Sequence, residues 1–341
     1  MWKGVSTMKR RVAKLISPKK FKVFEETLNS LKDDEILLKI ISCGLCHSEV
    51  PVYLGERQLT GQVKKGGTAF KVVDEIDFPV LLGHEPVAFI EDIGKEVKDF
   101  KIGDYVSGWK RQCFADYLIT DTTKLVKINS ETKEIKKCLI EPLACIVNIL
   151  RAANPLLGDS VAIIGCGFMG LLTLMGLDKS GAFKKIAIDI LDNRLDLAKK
   201  FGATHILNAK KDNITDKMDS ITGGKGADIV IEISGRMAGF DLATQIVKSR
   251  GKILIPSLYG KPEVMNSGFY LMLKAPTIIS AHPFYSDDYD RDMLIAARSF
   301  EKGILPVNQL ITHEFSLDNI NEGFDVLTSS NSNYIKGIIV P

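Results

Sequence analysis

A chain of 341 residues, 45% apolar and 26% charged, is long enough for two domains and has the balance of a soluble globular protein with a sizeable core. The net charge of +3 is small and its 45 basic residues are scattered, which excludes the clustered basic face of a nucleic-acid-binding surface. Six cysteines (Cys43, Cys46, Cys113, Cys138, Cys145 and Cys166) form no regular disulfide framework, so free thiols and a cytoplasmic location are expected.

Along the chain, the opening MWKGVSTMKRRVAKL is basic, and no apolar run of signal-peptide length follows it. ILLKIISCG (36–44), VAFIEDIG (87–94), DYVSGW (104–109) and ADYLI (115–119) are short strands separated by glycine and polar turns. They predict a mostly β domain over residues 1–141. From Val161 onward, VAIIG, KIAIDI (185–190), HILN (205–208), ADIVIEI (227–233), KILIPSL (252–258) and TIISA (277–281) alternate with amphipathic segments such as DNRLDLAKKFGA (192–203). Near-continuous apolar strands alternating with helices predict a parallel sheet covered on both faces, an α/β doubly wound domain over 142–290. The tail, with ITHEFSLDNINEGFDVL and KGIIVP, adds a helix and a last strand, so residues 291–341 are expected to return to the first domain. Val161–Leu177 is uncharged, but it is shorter than the roughly 20 apolar residues of a spanning helix. It also carries four glycines, so no membrane span is expected.

Gly165-Cys166-Gly167-Phe168-Met169-Gly170 has the pattern G-x-G-x-x-G, which alone is a weak signal. Here it follows a strand and opens a helix, and Asp189 ends the next strand, 19 residues beyond Gly170 (189 − 170). Each part has a physical reason: Gly165 for the tight turn, Gly167 for close approach of a pyrophosphate, Gly170 for helix–strand packing. The helix N-terminus offers free N–H groups to the phosphates. The Asp189 carboxylate suits the adenosine ribose hydroxyls and repels a 2′-phosphate, so NAD is the expected dinucleotide. The competing reading is a glycine-rich turn in some other α/β protein.

Four fragments occur in order: Gly44-Leu45-Cys46-His47-Ser48-Glu49, Gly83-His84-Glu85, Glu141-Pro142-Leu143 and the glycine motif. Together with Gly103-Asp104-Tyr105-Val106, DIVIEISG and ITHEF, they resemble the zinc-containing medium-chain alcohol dehydrogenase/reductase family over nearly the whole chain, in its polyol- and threonine-dehydrogenase-like branch. The resemblance implies a GroES-like catalytic domain followed by a Rossmann nucleotide-binding domain, with residues 1–7 as an extension before Met8-Lys9. It implies one catalytic Zn2+ held by Cys46, His84 and Glu141, a thiolate, an imidazole and a carboxylate that leave a fourth position open. Glu85 is the rival carboxylate, and Glu49 the acidic partner that orients His84. Ser48 is expected to take the hydroxyl proton, His47 to contact the pyrophosphate, and Arg194 to lie near the adenosine ribose. The implied activity is hydride transfer from a secondary alcohol (a polyol, sugar-like or amino alcohol) to NAD, by a homodimer or homotetramer acting on small-molecule alcohol and ketone substrates.

Two departures from the family are visible. Ser107–Phe114 contains only Cys113 where many relatives carry four cysteines, so a second, structural zinc is not expected. Val50-Pro51-Val52 stands where several relatives place a relay histidine, which leaves the proton partner of Ser48 open. Cys43 and Cys46 form a C-x-x-C, but no second such pair exists, so Cys43 reads as a core residue. Cys145 and Cys166 are expected to line the nicotinamide side, and of His205, His282 and His313 only His282 is a candidate for the cleft. Cys46 to His84 is 38 positions (84 − 46), some fifteen more than in relatives. The surplus, within 55–77, is either a substrate-entrance element using Arg57, Lys64 or Lys65, or a solvated hairpin. Two further functions compete: a zinc-free NADPH-dependent enone or quinone reductase of the same superfamily, and a non-enzymatic nucleotide-binding protein.

Overall fold

The computed structural model describes residues 8–60, 63–64, 67–68, 71–73, 75–259, 264–283, 286–329 and 332–341; within 58–72 only backbone is described. The chain forms two units, Met1–Glu141 with Val307–Pro341, and Pro142–Pro306. The first division falls after Glu141. The second falls after Pro306 rather than at 290, because the helix Tyr289–Glu301 belongs to the second unit. There the Asp292 carboxylate, fully buried, pairs with Arg151.

The first unit is built on a seven-stranded sheet. Its path runs Leu125–Ile128, Tyr105–Gly108, Pro86–Ile93, Ile36–Gly44, Gly337–Val340 and His313–Ser316, with Tyr117–Thr120 added to Ile36–Gly44. Strand Ile36–Gly44 is central because its residues are apolar on both faces, and most of them are buried. The C-terminal strand pairs antiparallel with its end, setting Ile338 opposite Gly44 and Ile339 opposite Cys43. A second sheet begins with the hairpin Lys9–Ser17/Lys20–Thr27, whose outward residues form opposite-charge pairs such as Lys9–Glu25 and Arg10–Glu26. Between them Tyr53, Phe21, Phe114 and Phe324 pack ring to ring, with Phe324 centroids 4.7 Å from Tyr53 and 4.9 Å from Phe21. Rings so buried each contribute about 3–5 kcal/mol, judged by truncation. They tie the C-terminal helix Ile320–Thr328 to the N-terminal strands.

In the second unit six parallel strands follow the order His205–Asn208, Lys184–Asp189, Ser160–Ile164, Ala227–Glu232, Val247–Ile255, Thr277–Ser280. Every residue of Ser160–Ile164 is buried, as a strand covered on both faces requires. The chain order reverses between Ser160–Ile164 and Ala227–Glu232, and ligands of such sheets bind beyond the carboxyl ends of the strands at this switch point. The glycine motif lies there. No helix among the described residues is long and apolar enough to cross a membrane.

The surplus segment forms short antiparallel ladders, Gln58–Thr60 with Lys71–Val73 and Val63–Lys64 with Gly67–Thr68. Lys65 and the Lys64 side chain lie outside the described residues.

Candidate active site

In the first unit, Ile36–Gly44 delivers the chain to Cys46, whose extended backbone caps the single turn His47–Glu49. That turn folds the Glu49 side chain back into the protein, where it is 6% exposed. Its Oε1 accepts from the Gly83 N–H at 2.7 Å and meets His84 Nδ1 at 3.0 Å. A carboxylate oxygen accepts here, so Nδ1 carries a proton and Nε2 is the ring nitrogen left for a metal, which would bind there in place of a proton. Gly83 is at φ +91°, and a Cβ there would stand 2.6 Å from the Phe114 nitrogen, so glycine is what lets His84 reach this place.

The ligand atoms of Cys46, His84 and Glu85 all lie within 4.8 Å of one another, the one such group of three among the described residues. Glu49 Oε2 and Glu85 Oε2 are buried and accept no directed hydrogen bond, although Lys336 Nζ approaches the latter to 2.6 Å. A soft thiolate, an imidazole and buried, under-satisfied carboxylate oxygens suit a zinc ion. Burial pulls the His84 proton affinity down, but the charges of Glu49 and Cys46 outweigh it and raise it well above the usual value. The same negative field attracts a dication. Ser48 is exposed, with its Oγ 3.2 Å from Cys46 Sγ, and His47 beside it is exposed too.

Glu141 is buried and begins the helix Glu141–Ala153, yet it is not a member of the group of three. The carboxylate that meets Cys46 and His84 is Glu85, which follows His84 directly in the chain. Burial alone would raise the Glu85 pKa, but Lys336 and His84 hold it below the usual range. Sequence reasoning missed Lys336, since IKGIIVP carries no motif and its partner is 251 positions away. In the lobe where Cys113 stands alone, Lys110 Nζ donates to Asp121 at 2.7 Å, and Trp109 lies between Arg111 and Lys124 at 5.4 and 4.4 Å.

In the second unit the glycine motif has the geometry of a phosphate-binding turn. Gly165 is at φ +100°, and a Cβ on Gly170 would stand 1.9 Å from the Gly165 carbonyl oxygen. A Cβ on Gly167 would meet only Arg194 Nη1, at 3.7 Å, so this face is open. Phe168 and Met169 start the helix Phe168–Leu177. Asp189 is 8% exposed, its Oδ2 accepting from the Cys166 N–H and its Oδ1 from those of Ile190 and Leu191. Arg194 Nε is buried without a hydrogen-bond partner, an orphan donor beside the open glycine. These residues fit the phosphates and ribose of a dinucleotide. Cys145 and Cys166 are buried, and burial pushes the Cys166 thiol up. His282, after strand Thr277–Ser280, is pushed down to about 4 by burial. Glu232, also missed from sequence, is fully buried and holds the loop beside Gly165 by accepting from Ser234 N and Tyr259 Oη.

Residues 32–130 match the family described as alcohol dehydrogenase GroES-like domain, and residues 169–298 that described as zinc-binding dehydrogenase. The chain belongs to the zinc-containing medium-chain alcohol dehydrogenase family. Among its relatives in this family is an L-threonine 3-dehydrogenase of Bacillus velezensis, 26% identical, with 93% of this chain and 94% of the relative covered. The fold is that of a 2R,3R-butanediol dehydrogenase from Bacillus subtilis (TM-score 0.80, 23% identity, 97% and 99% covered). It is equally that of a zinc-binding dehydrogenase from Sinorhizobium meliloti 1021 bound to NADP (TM-score 0.79, 20% identity, 98% and 100% covered). As a medium-chain dehydrogenase, this protein is a zinc-dependent oxidoreductase acting on alcohols, with a GroES-like and a Rossmann-type part.

Proposed function

We propose that this dehydrogenase oxidises a secondary alcohol of the polyol or amino-alcohol class and prefers NAD over NADP. The observation that carries the reading is the convergence of Cys46 and His84, with Glu49 fixing the His84 tautomer. Cys46 and His84 would hold the zinc, with Glu141 as third ligand and Glu85 as a carboxylate within reach. When bound, zinc supplies Lewis acidity that lowers the pKa of an alcohol hydroxyl, and the dinucleotide supplies the hydride acceptor.

The chain's own residues do the rest. Glu49 keeps the His84 ring oriented, so ligand geometry is preset. Ser48 Oγ, beside Cys46 and exposed, takes the hydroxyl proton and passes it to water, since Val50-Pro51-Val52 offers no side-chain relay. Asp189 receives the ribose hydroxyls, its charge disfavouring a 2′-phosphate, and Arg194 is assigned to the same adenosine ribose; His47 is assigned to the pyrophosphate. The relatives' printed activities, on threonine and on butanediol, support an alcohol carbon bearing a neighbouring polar group.

A homodimer or homotetramer in the cytoplasm completes the reading. Six free cysteines suit a reducing compartment. Strand Thr277–Ser280 is a sheet edge, and Phe269, Met272, Leu273 and Ile278 near it are exposed, an apolar face suited to a second copy of the chain. Sedimentation velocity decides this; a monomer at micromolar concentration overturns it.

A panel of threonine, vicinal diols, polyols and simple primary alcohols, each with NAD and with NADP, tests the activity. The expected result is dinucleotide reduction by a secondary alcohol, with NAD favoured by about tenfold or more, the equivalent of about 1.4 kcal/mol. Equal use of both dinucleotides overturns the NAD assignment, and a zinc-loaded protein inert toward the whole panel overturns the substrate class.

A further inference from the structure

Lys336 is buried against the metal site with its charge intact. Its Nζ lies 2.8 Å from Glu85 Oε1 and 2.6 Å from Oε2, with the side chains 5% and 1% exposed. The ammonium is fixed by backbone. The Lys336 carbonyl accepts from Thr312 N at 2.9 Å, and the next residue's carbonyl, that of Gly337, accepts from Leu45 N at 3.0 Å, one residue before Cys46. Gly337 N in turn donates to Tyr334 Oη at 2.9 Å. On its other side the Glu85 carboxylate lies against Gly44, where a Cβ would stand 2.0 Å from Oε2. The carboxylate grouped with Cys46 and His84 is therefore penned between a glycine backbone and a cation.

We propose that Lys336 is a positioning residue that holds Glu85 back from the zinc and so keeps one coordination position open for the alcohol oxygen. The inference rests on the reading that Cys46 and His84 hold the zinc. A catalytic site needs an open position, and a closed set of four protein ligands has none. With Cys46, His84 and Glu141 engaged, an unrestrained Glu85 would supply the fourth. A buried carboxylate stripped of its counter-charge seeks another cation, since burial without one is strongly unfavourable. In this site that cation is the zinc. Lys336 removes the drive by neutralising Glu85 where it stands, and the pair contributes no net charge to the metal.

The test measures zinc release from the full-length, zinc-loaded protein to a chromophoric chelator, without dinucleotide or alcohol. Lys336→Met is expected to release zinc at least tenfold more slowly than the wild type, as Glu85 closes the site, while kcat falls and KM for NAD is unchanged. Lys336→Arg, which keeps the charge, is expected to restore the wild-type release rate. The double variant Lys336→Met, Glu85→Gln removes both charges and, as a neutral pair, is the safer one to fold. It is expected to release zinc within threefold of the wild type. Release at the wild-type rate or faster from Lys336→Met overturns the proposal. So does release at least tenfold faster from the double variant, which would make Glu85 a resting ligand. A wild-type protein that binds no zinc refutes instead the reading on which the inference rests.

Discussion

Cys46→Ser and His84→Gln are each expected to leave the protein folded, depleted of zinc and at least about 10³-fold lower in kcat/KM, a loss of about 4 kcal/mol of transition-state stabilisation. The two positions differ in what surrounds them. His84 is fixed by Glu49, itself fixed by the Gly83 N–H, so Glu49→Gln is expected to act on the same metal at one remove. Loss of such a supporting partner typically costs 10–100-fold in metal affinity or activity. The measurement is zinc content by mass spectrometry alongside steady-state kinetics. A folded His84→Gln protein that keeps its zinc and its kcat/KM would remove His84 from the ligand set.

Asp189→Ala is expected to lower kcat/KM with NAD by about 10–100-fold, since hydrogen bonds to a charged acceptor contribute about 1.5–3 kcal/mol. The kcat/KM with NADP is expected to change far less, because the loss of a contact is offset by the loss of repulsion toward the 2′-phosphate. The effect has a structural component too. Asp189 accepts from the N–H groups of Cys166, Ile190 and Leu191, so its removal also loosens the glycine turn. Asp189→Asn is the milder change: its one oxygen still accepts from the Ile190 and Leu191 N–H groups, while the charge and the contact with Cys166 N–H are lost. An unchanged ratio of NAD to NADP efficiency in Asp189→Asn would show that the carboxylate charge does not set the preference.

Much of this was legible in the sequence, for physical reasons that differ from part to part. The buried parallel strands announce themselves as near-continuous apolar runs, and the glycines of the 165–170 turn are positions where a Cβ has no room or would block the approach. Cys46, His84 and Glu49 are legible because few residue types perform their chemistry, and Cys46 and Glu49 flank one short turn, His47–Glu49. The hairpin Lys9–Ser17/Lys20–Thr27 went unnoticed because its pairs of opposite charge, Lys9–Glu25 and Arg10–Glu26, mask the alternation that marks a strand. The helix Tyr289–Glu301 was assigned to the wrong unit because an amphipathic pattern says that a face is buried, not against which core. The contact between Lys336 and Glu85 was illegible for a deeper reason. Lys336 is brought to Glu85 by a strand pairing at the far end of the chain, and no local pattern records it.

The account stands most directly on stepwise return of zinc to protein stripped by a chelator, with alcohol-dependent NAD reduction followed at each addition. It predicts no turnover at zero zinc, a linear rise, and a plateau at one zinc per chain, since Cys113 alone offers no four-thiolate site. Full NAD reduction by the zinc-free protein would contradict it.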